Sequence, residues 1–296
     1  MAWWFGLFFL FLIMGMPVAF CMMCSAVLYC TVFGESINMV LTRTIAGPSS
    51  FTLMALAFFI LAGNIMNNGG VTDQIFGFCK KAVGWIPGGL GHANVLASVI
   101  FAGMSGAAVA DAGGLGAIEV KAMRDDGYDD EFSVAVTGAS SLLGPIIPPS
   151  IVIVFFGTVT SVSITRLFAG SLGAGILLAA LLFALTYFKA VRNKWPKREK
   201  NDPKPGVWKS FKESFWALLM PVIVLGGIYG GFFTPTEAAA VSIFYALFVG
   251  LVIYKELNPK NIFRILKDSA ESATIVLFII GASSVFAWLF TYANIA

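Results

Sequence analysis

Two short segments of the chain combine glycine, serine and proline in a way that suits the binding of a small cation. In the first, Ser105 stands between Gly103 and Gly106, and glycines let backbone carbonyls and a serine hydroxyl approach an ion closely. In the second, residues 140–145 read Ser-Ser-Leu-Leu-Gly-Pro. Sodium is held by carbonyl and hydroxyl oxygens that carry little formal charge. The segments are predicted to form two halves of one ion or substrate site; the alternative is close helix packing through small residues.

The second segment must also interrupt a helix. Residues 144–149 read Gly-Pro-Ile-Ile-Pro-Pro within the uncharged run of residues 132–165. Each proline removes a backbone donor and clashes with the preceding turn, and the residue before a proline is pushed out of the helical region. Carbonyls left free at bilayer depth are tolerated only where protein encloses them or where they line a polar cavity. The motif therefore predicts a broken transmembrane helix at a binding site.

Composition places these segments in a membrane. Only 12% of the residues are charged, 58% are hydrophobic and the mean hydropathy is +0.86, which excludes a soluble domain with an ordinary polar surface. The apolar runs are continuous rather than alternating, which favours helices over barrel strands. The predicted fold class is an all-α integral membrane protein. The charge-free runs are residues 1–34, 44–72, 82–110, 132–165, 167–188, 214–236, 238–254 and 272–296.

Basic residues indicate the orientation of the chain. They cluster in a hydrophilic linker, residues 192–210, which the positive-inside rule places in the cytoplasm; a nucleic-acid patch is the disfavoured alternative. Working backward through two spans, residues 121–131 are also cytoplasmic. Residues 92–120, rich in glycine and alanine, must then enter and leave the membrane on the same side. They are predicted to form a re-entrant hairpin with its tip near Ser105.

The segments ahead of the hairpin are predicted from length and spacing. Residues 71–86 place apolar side chains at helical spacing on one face, which indicates an amphipathic arm lying flat on the cytoplasmic side. Residues 50–66 cross the membrane, and residues 35–49 lie outside. Residues 1–33 are too long for one untilted span, so two short helices are predicted, with a corner at Gly15-Met-Pro17 and an external N-terminus.

The part after the linker is predicted to be a second copy of the beginning in the opposite orientation. Pro221 would correspond to Pro17, and residues 293–295 to residues 63–65. Inverted repeats of this kind are the building plan of many secondary transporters. The copy stops before a counterpart of the hairpin or of the proline-broken helix. Its predicted elements are spans over residues 214–231, 237–254 and 272–290 and a short amphipathic piece over residues 259–269.

Ionisable residues within the hydrophobic depth are few. Asp111 is the main candidate, because an acid there is costly and is usually kept for a function such as cation or proton coupling. It could equally cap the returning half of the hairpin. Glu237 follows Thr-Pro-Thr and is predicted to stabilise a helix N-terminus. His92 is predicted to be a boundary residue at the membrane interface.

Motifs of other function classes are missing from the sequence. It contains no P-loop, serine-nucleophile elbow, zinc-ligand pair or dinucleotide fingerprint. Cys21 and Cys24 form a C-x-x-C without a partner pair, and apolar packing is the predicted role of both. The chain is therefore predicted not to be an enzyme and to use no cofactor.

Taken together, four ordered motifs resemble the large membrane subunit of tripartite ATP-independent periplasmic (TRAP) transporters. The resemblance extends over essentially the whole chain. It implies a bacterial system that takes up an organic acid with sodium, and an elevator mechanism in which a transport domain slides against a scaffold. The motifs are Phe59-Ile-Leu-Ala-Gly-Asn64, Phe101-Ala-Gly-Met-Ser-Gly-Ala-Ala-Val-Ala-Asp-Ala-Gly-Gly-Leu-Gly116, Gly144-Pro-Ile-Ile-Pro-Pro-Ser150 and Phe233-Thr-Pro-Thr-Glu-Ala-Ala-Ala240.

The resemblance also implies a site, with sodium ions as coupling ions, no other metal and no catalytic residue. Asp111 is included as a possible coupling or structural acid. The carried acid would be sialic acid, a C4-dicarboxylate or a related carboxylate. The implied sodium-binding residues are Gly103, Ser105, Gly106, Ser141, Gly144 and Pro145, and the implied substrate-binding residues are Ser105, Ala107, Pro148, Pro149 and Ser150.

Partners and location follow from the same resemblance. The expected partners are a small TRAP membrane subunit, a periplasmic substrate-binding protein, the organic acid and membrane lipid, with no nucleic acid. The expected location is the bacterial inner membrane, which the chain crosses several times. An ion channel and a scaffold subunit that does not transport are the alternatives. Because family members continue into a second hairpin and a second broken helix, the chain is expected to be a portion of a longer protein.

A division of the chain by role completes the prediction. The predicted parts are scaffold helices of the first repeat (1–66), the amphipathic arm (67–91), the hairpin and broken helix of the transport domain (92–165), a scaffold helix (166–191), the cytoplasmic basic linker (192–210) and the start of the inverted second repeat (211–296).

Overall fold

The computed structural model describes residues 3–195 and 207–292, and within these ranges the protein is helical, with no strand. A π-helical turn, Asp111–Leu115, follows the short helix Ala108–Ala110, and another, Val249–Ile253, follows the helix Pro235–Phe248. The helices are α1 Trp3–Ile13, α2 Val18–Phe33, α3 Ile37–Ala46, α4 Met54–Asn68, α5 Val71–Val83, α6 Gly89–Ser105, α7 Ala108–Ala110, α8 Gly116–Asp125, α9 Asp130–Ser141, α10 Ile151–Thr160, α11 Ile164–Asn193, α12 Val207–Tyr229, α13 Pro235–Phe248 and α14 Pro259–Tyr292.

Several segments are long and apolar enough to cross a membrane, as the composition predicts. They number five within the described ranges. Helices α1, α2, α6 and α10 are apolar but shorter. The five segments are Phe51–Asn68, Ile164–Asn193, Trp208–Tyr229, Pro235–Ile253 and Pro259–Tyr292.

The first and last parts of the described chain form one compact unit, residues 3–53 with residues 270–292. Trp4 is fully buried there, and its ring lies 5.9 Å from that of Tyr29, 5.0 Å from that of Phe286 and 5.5 Å from that of Phe290, all near perpendicular. Edge-to-face aromatic pairs of this kind stabilise packing beyond the area that they bury. The predicted corner is confirmed, because Gly15 adopts φ of +83° and Pro17 precedes α2 in an extended conformation.

The second unit holds the remaining described residues, 54–195 and 207–269, and contains the hairpin. Helix α6 and the segment α7–α8 form its two arms, and Gly91 at the start of α6 lies beside Met123 near the end of α8. Just beyond, the Tyr128 hydroxyl accepts a hydrogen bond from the Leu90 backbone N–H at 3.2 Å. Burial raises the pKa of Tyr128 to about 12, so this hydroxyl stays neutral. The predicted hairpin is present, although its position in a membrane remains a prediction.

The predicted amphipathic arm is a helix, α5, but its apolar face is covered by protein. Ile75, Phe76 and Cys79 are buried, and α5 packs against α6 and α12. Lys80 and Lys81 lie in the last turn, where they complement the helix dipole. The amphipathic pattern therefore identified the helix and its buried face, while its placement at the membrane surface stays a prediction.

Two predictions about the later helices are wrong in detail. Residues 259–269 and 272–290 are not separate elements, because α14 is a single helix of 34 residues. Neither glycine nor proline occurs between the two predicted pieces to interrupt the backbone hydrogen bonds. Pro221 also differs from its proposed counterpart: it lies inside the continuous helix α12, whereas Pro17 precedes α2.

Three further predicted segments have mixed outcomes. Residues 35–49, expected only to lie outside, contain α3. The basic linker is helical up to Asn193 and again from Val207, but residues 196–206 lie outside the described residues. Residues 293–295, proposed to match residues 63–65, also lie outside them. The inverted repeat and the division into transport and scaffold parts therefore remain predictions.

Candidate functional site

The hairpin turns where the glycines predicted it would. Helix α6 ends at Ser105, and Gly106 follows in a left-handed conformation with φ of +63°. Glycine adopts this conformation without the steric cost that a Cβ atom brings. Ala107 is extended, and the chain re-enters helix at Ala108. The sharp turn places Ser105 at the inner end of α6, as the sequence predicts.

The predicted helix break is also present. Helix α9 ends at Ser141, and tight turns follow, with the Ile147 N–H donating to the Leu143 carbonyl at 2.7 Å. The peptide bond between Pro148 and Pro149 is cis. Helix α10 begins after Ser150, whose hydroxyl oxygen accepts a hydrogen bond from the Ile153 N–H at 3.2 Å. The prolines thus separate two short helices, and the capping serine satisfies one donor that the break leaves free.

The hairpin tip lies directly against the break, backbone to backbone. The Ile151 N–H donates to the Gly106 carbonyl oxygen at 3.3 Å. A Cβ atom on Gly106 would collide with the Pro149 carbonyl oxygen, and one on Gly144 would lie 3.0 Å from the Ala107 carbonyl carbon. The two predicted halves of the site therefore meet, and they meet only because glycine occupies both contact positions.

The serine hydroxyl groups of these two segments differ in whether they already form hydrogen bonds. The Ser105 hydroxyl is buried and has no hydrogen-bond partner among the described residues. The Ser141 hydroxyl donates to the Gly138 carbonyl at 2.9 Å, and the Ser150 hydroxyl donates to the Pro145 carbonyl at 2.5 Å. Buried polar groups are rarely left unpaired, so such a group requires an explanation. Ser105 is the predicted site residue whose side chain is free to bind a ligand.

The other predicted site residues differ in burial and in what they contact. Gly103 lies against Pro221 of α12, where a Cβ atom would be 3.1 Å from the proline Cβ. Ala107 is partly exposed, whereas Pro148 and Pro149 are buried. Gly63 of α4, which the sequence analysis did not single out for the site, lies beside Ser105, with its added Cβ 3.2 Å from the serine Cβ. Close packing through small residues and an unpaired hydroxyl therefore occur together here.

A buried polar network that the sequence analysis missed joins α6 to α9. Asn94 donates to the Thr137 hydroxyl at 2.6 Å and accepts from the Ser140 hydroxyl at 2.8 Å, and Ser98 donates to Ser140 at 3.1 Å. All four side chains are buried. A signal was present, because Asn94 and Ser98 are four residues apart and share one face of α6. The network fixes the hairpin against the helix that leads into the break.

Asp111 does not cap the returning arm. It begins the π-helical turn and is 2% exposed, and neither of its carboxylate oxygens has a hydrogen-bond partner among the described residues. Glu119 of α8, which the sequence analysis overlooked, is fully buried and equally without partners. The capping alternative is therefore wrong, and the arm carries two buried acids instead of one.

Two further predictions concern single residues. Glu237 stabilises a helix N-terminus as predicted, because its carboxylate accepts from the Thr234 N–H at 2.8 Å and Thr234 accepts from the Glu237 N–H at 3.3 Å. His92 is 2% exposed and its ring stacks on Phe183 of α11 at 5.4 Å, so protein covers it, while its position at the membrane interface stays a prediction. The glycines and alanines around His92 let α11 pack closely on α6 and cover the ring.

Cys21 and Cys24 are free, and no cluster of three metal-binding side chains occurs in residues 3–195 and 207–292.

The fold and this contact define a multi-pass helical membrane protein with a hairpin seated on a proline-broken helix. Residues 5–296 match the family described as "Tripartite ATP-independent periplasmic transporter, DctM component". The chain belongs to this family. The resemblance inferred from the four sequence motifs is thereby confirmed.

Individual relatives agree with the family. The chain is 42% identical over 290 residues to the sialic acid TRAP transporter large permease protein SiaM of Vibrio cholerae, covering 97% of this chain and 66% of the relative. It is 41% identical to the sialic acid TRAP transporter permease protein SiaT of Haemophilus influenzae, covering 84% and 41%. The C4-dicarboxylate TRAP transporter large permease protein DctM of Rhodobacter capsulatus is 34% identical, with 98% and 69% covered.

These relatives are transporter permeases and not enzymes, in agreement with the prediction that this chain is not an enzyme. The chain spans about two thirds of the SiaM relative's length and less than half of the SiaT relative's length.

Proposed function

We propose that the protein carries an organic acid across the membrane together with sodium, and that ion and substrate meet where the hairpin tip lies on the helix break. The observation that carries the proposal is the Ser105 hydroxyl, which is buried without a partner at the tip of a glycine turn. A buried hydroxyl left unpaired costs about 1–3 kcal/mol, which a bound ion or substrate would offset. The relatives named for sialic acid and C4-dicarboxylate transport supply the substrate class.

Sodium suits the groups at this contact because they are neutral oxygens. The Ser105 hydroxyl and the backbone of Gly103, Gly106, Gly144 and Pro145 belong to the two segments that meet here, and none of these residues carries a carboxylate. The structure changes the role expected of Ser141 in ion binding. Since its hydroxyl already donates to Gly138, Ser141 would take part through its backbone. We therefore assign the side-chain role in ion binding to Ser105 alone.

The substrate would lie on the outer side of the same contact. Ala107 is partly exposed next to the turn, and Pro148, Pro149 and Ser150 form the opposite wall. The Ser150 hydroxyl both donates to Pro145 and accepts from Ile153, so its remaining capacity is small. Substrate recognition by this wall would rest on shape, with the charge of the acid balanced by the coupled sodium ions.

The proposed setting is the bacterial inner membrane, with three further components of the system. A periplasmic binding protein would deliver the acid, a small membrane subunit would brace the scaffold, and lipid would surround both membrane subunits. The hairpin and broken helix would move as the transport domain of an elevator. The match to the DctM component supports this assembly.

Uptake by the complete complex in proteoliposomes tests the proposal. Uptake of sialic acid and of a C4-dicarboxylate is measured with and without a sodium gradient. We expect uptake of one acid to require sodium and to fall about tenfold or more in Ser105→Ala, since one lost ligand at 1.4 kcal/mol corresponds to tenfold. Ser171→Ala removes a hydroxyl that donates locally to the Phe168 carbonyl, and it is the matched control.

Three outcomes would reject the proposal. Uptake that changes neither when sodium is removed nor in Ser105→Ala would show that Ser105 does not bind a coupling sodium ion. Conductance that does not need the binding protein would identify a channel. Absence of uptake of any carboxylate by a folded complex would identify a scaffold subunit that does not transport.

A further inference from the structure

The returning arm of the hairpin carries two acids whose burial the proposed sodium site does not explain. Asp111 lies at the start of the π-helical turn, and Glu119 lies in the first turn of α8. They are 2% and 0% exposed, and none of their four carboxylate oxygens has a hydrogen-bond partner among the described residues. Short π-helical turns are frequent at functional sites. An unpaired buried carboxylate is among the costliest groups that a fold can contain.

The polar side chains near the two acids have other partners. The Ser98 hydroxyl lies close to Asp111, but its hydrogen is directed to Ser140 at 3.1 Å. The Asn67 side chain lies against the turn at Gly114, donates to the Ala110 carbonyl at 3.4 Å and accepts from Thr72 at 2.8 Å. Both neighbours are therefore engaged in hydrogen bonds to other groups.

Within residues 3–195 and 207–292, neither acid forms an ion pair with a basic side chain. Each acid makes ionisation of the other less favourable, and Glu119 and the buried Cys79 thiol of α5 oppose each other in the same way. Lys81 pairs with Glu213 at 3.9 Å. Lys80 lies over the Phe76 ring and near Asp126, Arg124 pairs with Asp130 at 2.7 Å, and His92 stacks on Phe183. The remaining charged groups on the packed elements are the exposed Asp73, Lys121, Asp125 and Glu131.

Two carboxylates on one arm that are both buried and without a hydrogen-bond partner among the described residues are costly to ionise together, because each charge would be poorly solvated and would add to the cost of the other. We propose that Asp111 and Glu119 form a proton-binding pair that holds at least one proton while the hairpin is packed on α5, α6 and α9 in this conformation. A protonated carboxyl supplies the missing donor to its neighbourhood. It also reduces the charge that must be buried.

A proton fits the surroundings of the pair better than a metal ion does. A metal ion would need several further oxygen ligands converging on one point. Within the described ranges, no group of three His, Cys, Asp or Glu side chains is arranged around a common centre. A proton requires only the carboxyl oxygens themselves.

An open cleft lies on one side of the arm. A cleft of about 470 Å³ lies between α8 and α9, and its lining includes Gly116, Thr137 and the charged residues Lys121, Arg124 and Asp125. A Cβ atom on Gly116 would lie 2.7 Å from the Thr137 methyl and 3.5 Å from the Asp111 carbonyl oxygen. The cleft is thus lined by Gly116, which lies between the two acids in the chain, and we expect protons to exchange with solvent from this side.

Infrared spectroscopy of the full chain in lipid tests the pair directly and does not depend on transport. At neutral pH we expect the carbonyl stretch of a protonated carboxylic acid, which disappears when the pH is raised. Carboxyl-¹³C labelling of aspartate or of glutamate should shift this band without altering the fold. The double variant Asp111→Asn/Glu119→Gln should lose the band, whereas Asp125→Asn, an exposed acid on the same arm, should retain it.

Single variants refine the test. In Asp111→Asn the remaining Glu119 has lost its like-charged neighbour, so we expect its proton to dissociate at a lower pH than that of the pair. Absence of the band at neutral pH, or its persistence in the double variant, would overturn the proposal. Loss of the band on addition of sodium at constant pH would assign the pair to a metal ion and overturn it as well. A band accompanied by uptake indifferent to sodium would leave this proposal intact and reject the proposed function alone.

Discussion

The hairpin is joined to the broken helix at two levels, and the two contacts depend on different physics. At the tip, Gly106 and Gly144 let backbone touch backbone, and the hydroxyl that remains, on Ser105, has no partner. Along the arms, side chains of Asn94 and Ser140 fill the space and satisfy one another. The arm contact holds the hairpin in place, whereas the tip contact leaves a polar group free for a ligand. Substitutions should therefore act sterically at the tip and through lost hydrogen bonds along the arms.

The largest effect on stability is expected at Gly106. In Gly106→Ala, the Cβ atom collides with the Pro149 carbonyl oxygen and the left-handed backbone is strained. The strain costs about 1–2 kcal/mol and overpacking about 1–3 kcal/mol, so we expect the free energy of unfolding to fall by about 3 kcal/mol. Denaturant unfolding in detergent measures it. Gly127 also has φ of +83° but has open space around it, so Gly127→Ala should lower the free energy of unfolding only by the backbone strain. Equal losses of stability in the two variants would refute the steric account.

The next largest effect is expected in the polar network. Ser140→Ala leaves the Asn94 carbonyl oxygen without its donor and Ser98 without its acceptor, at about 1–3 kcal/mol. The same unfolding measurement applies. Thr160→Ala removes an exposed hydroxyl that donates to the Phe156 carbonyl, and it should change stability by less than about 0.5 kcal/mol. A loss as small as this in Ser140→Ala would mean that the network does not hold the hairpin.

A smaller effect is expected at Gly144. Its backbone is not strained, and an added Cβ atom would lie 3.0 Å from the Ala107 carbonyl carbon, so the tip must shift by a few tenths of an ångström. We expect Gly144→Ala to cost about 1 kcal/mol and to lower sodium-dependent uptake. Gly138→Ala adds a methyl group to open space on α9 and should be neutral or slightly stabilising. If uptake by Gly144→Ala equals that of Gly138→Ala, sodium binding does not depend on the close contact at the hairpin tip.

The smallest effect on stability is expected at Ser105, although its effect on uptake is large. Ser105→Ala removes an unpaired buried hydroxyl, so the free energy of unfolding in the absence of sodium should be unchanged or slightly higher. Sodium should stabilise the wild-type chain against heating and should not stabilise Ser105→Ala, because a ligand stabilises the state that binds it. Thermal unfolding over a sodium series measures this, and equal sodium dependence in both proteins would contradict the role assigned to Ser105.

Much of the fold followed from local rules in the sequence. The corner at Gly15-Met-Pro17, the turn at Gly106 and the break at residues 144–149 were predicted because glycine and proline act within a few residues of themselves. The same rules failed where no such residue was present. The end of the sequence was divided into two elements by composition, but the backbone hydrogen bonds of α14 continue through the change.

The candidate site was predicted in part. Its two segments were identified by residue type, and the structure brings them together. The pairing of individual hydroxyls was not predictable, because it depends on which carbonyl lies within reach after packing. Glu119 was overlooked because α8 also carries Lys121, Arg124 and Asp125, and only the packing of α6 and α9 on α8 shows that Glu119 is buried while those three are exposed.

The sequence by itself determined that this chain is a helical membrane protein of the TRAP large-subunit type, with a glycine turn and a proline break. Those features arise from apolar length and backbone geometry, which act over a few residues. Only the tertiary structure decided that the Ser105 hydroxyl has no partner among the described residues, whereas those of Ser141 and Ser150 do, and that Asp111 and Glu119 are both buried. Both depend on contacts between segments far apart in the chain, and burial and hydrogen-bond pairing are properties of those contacts.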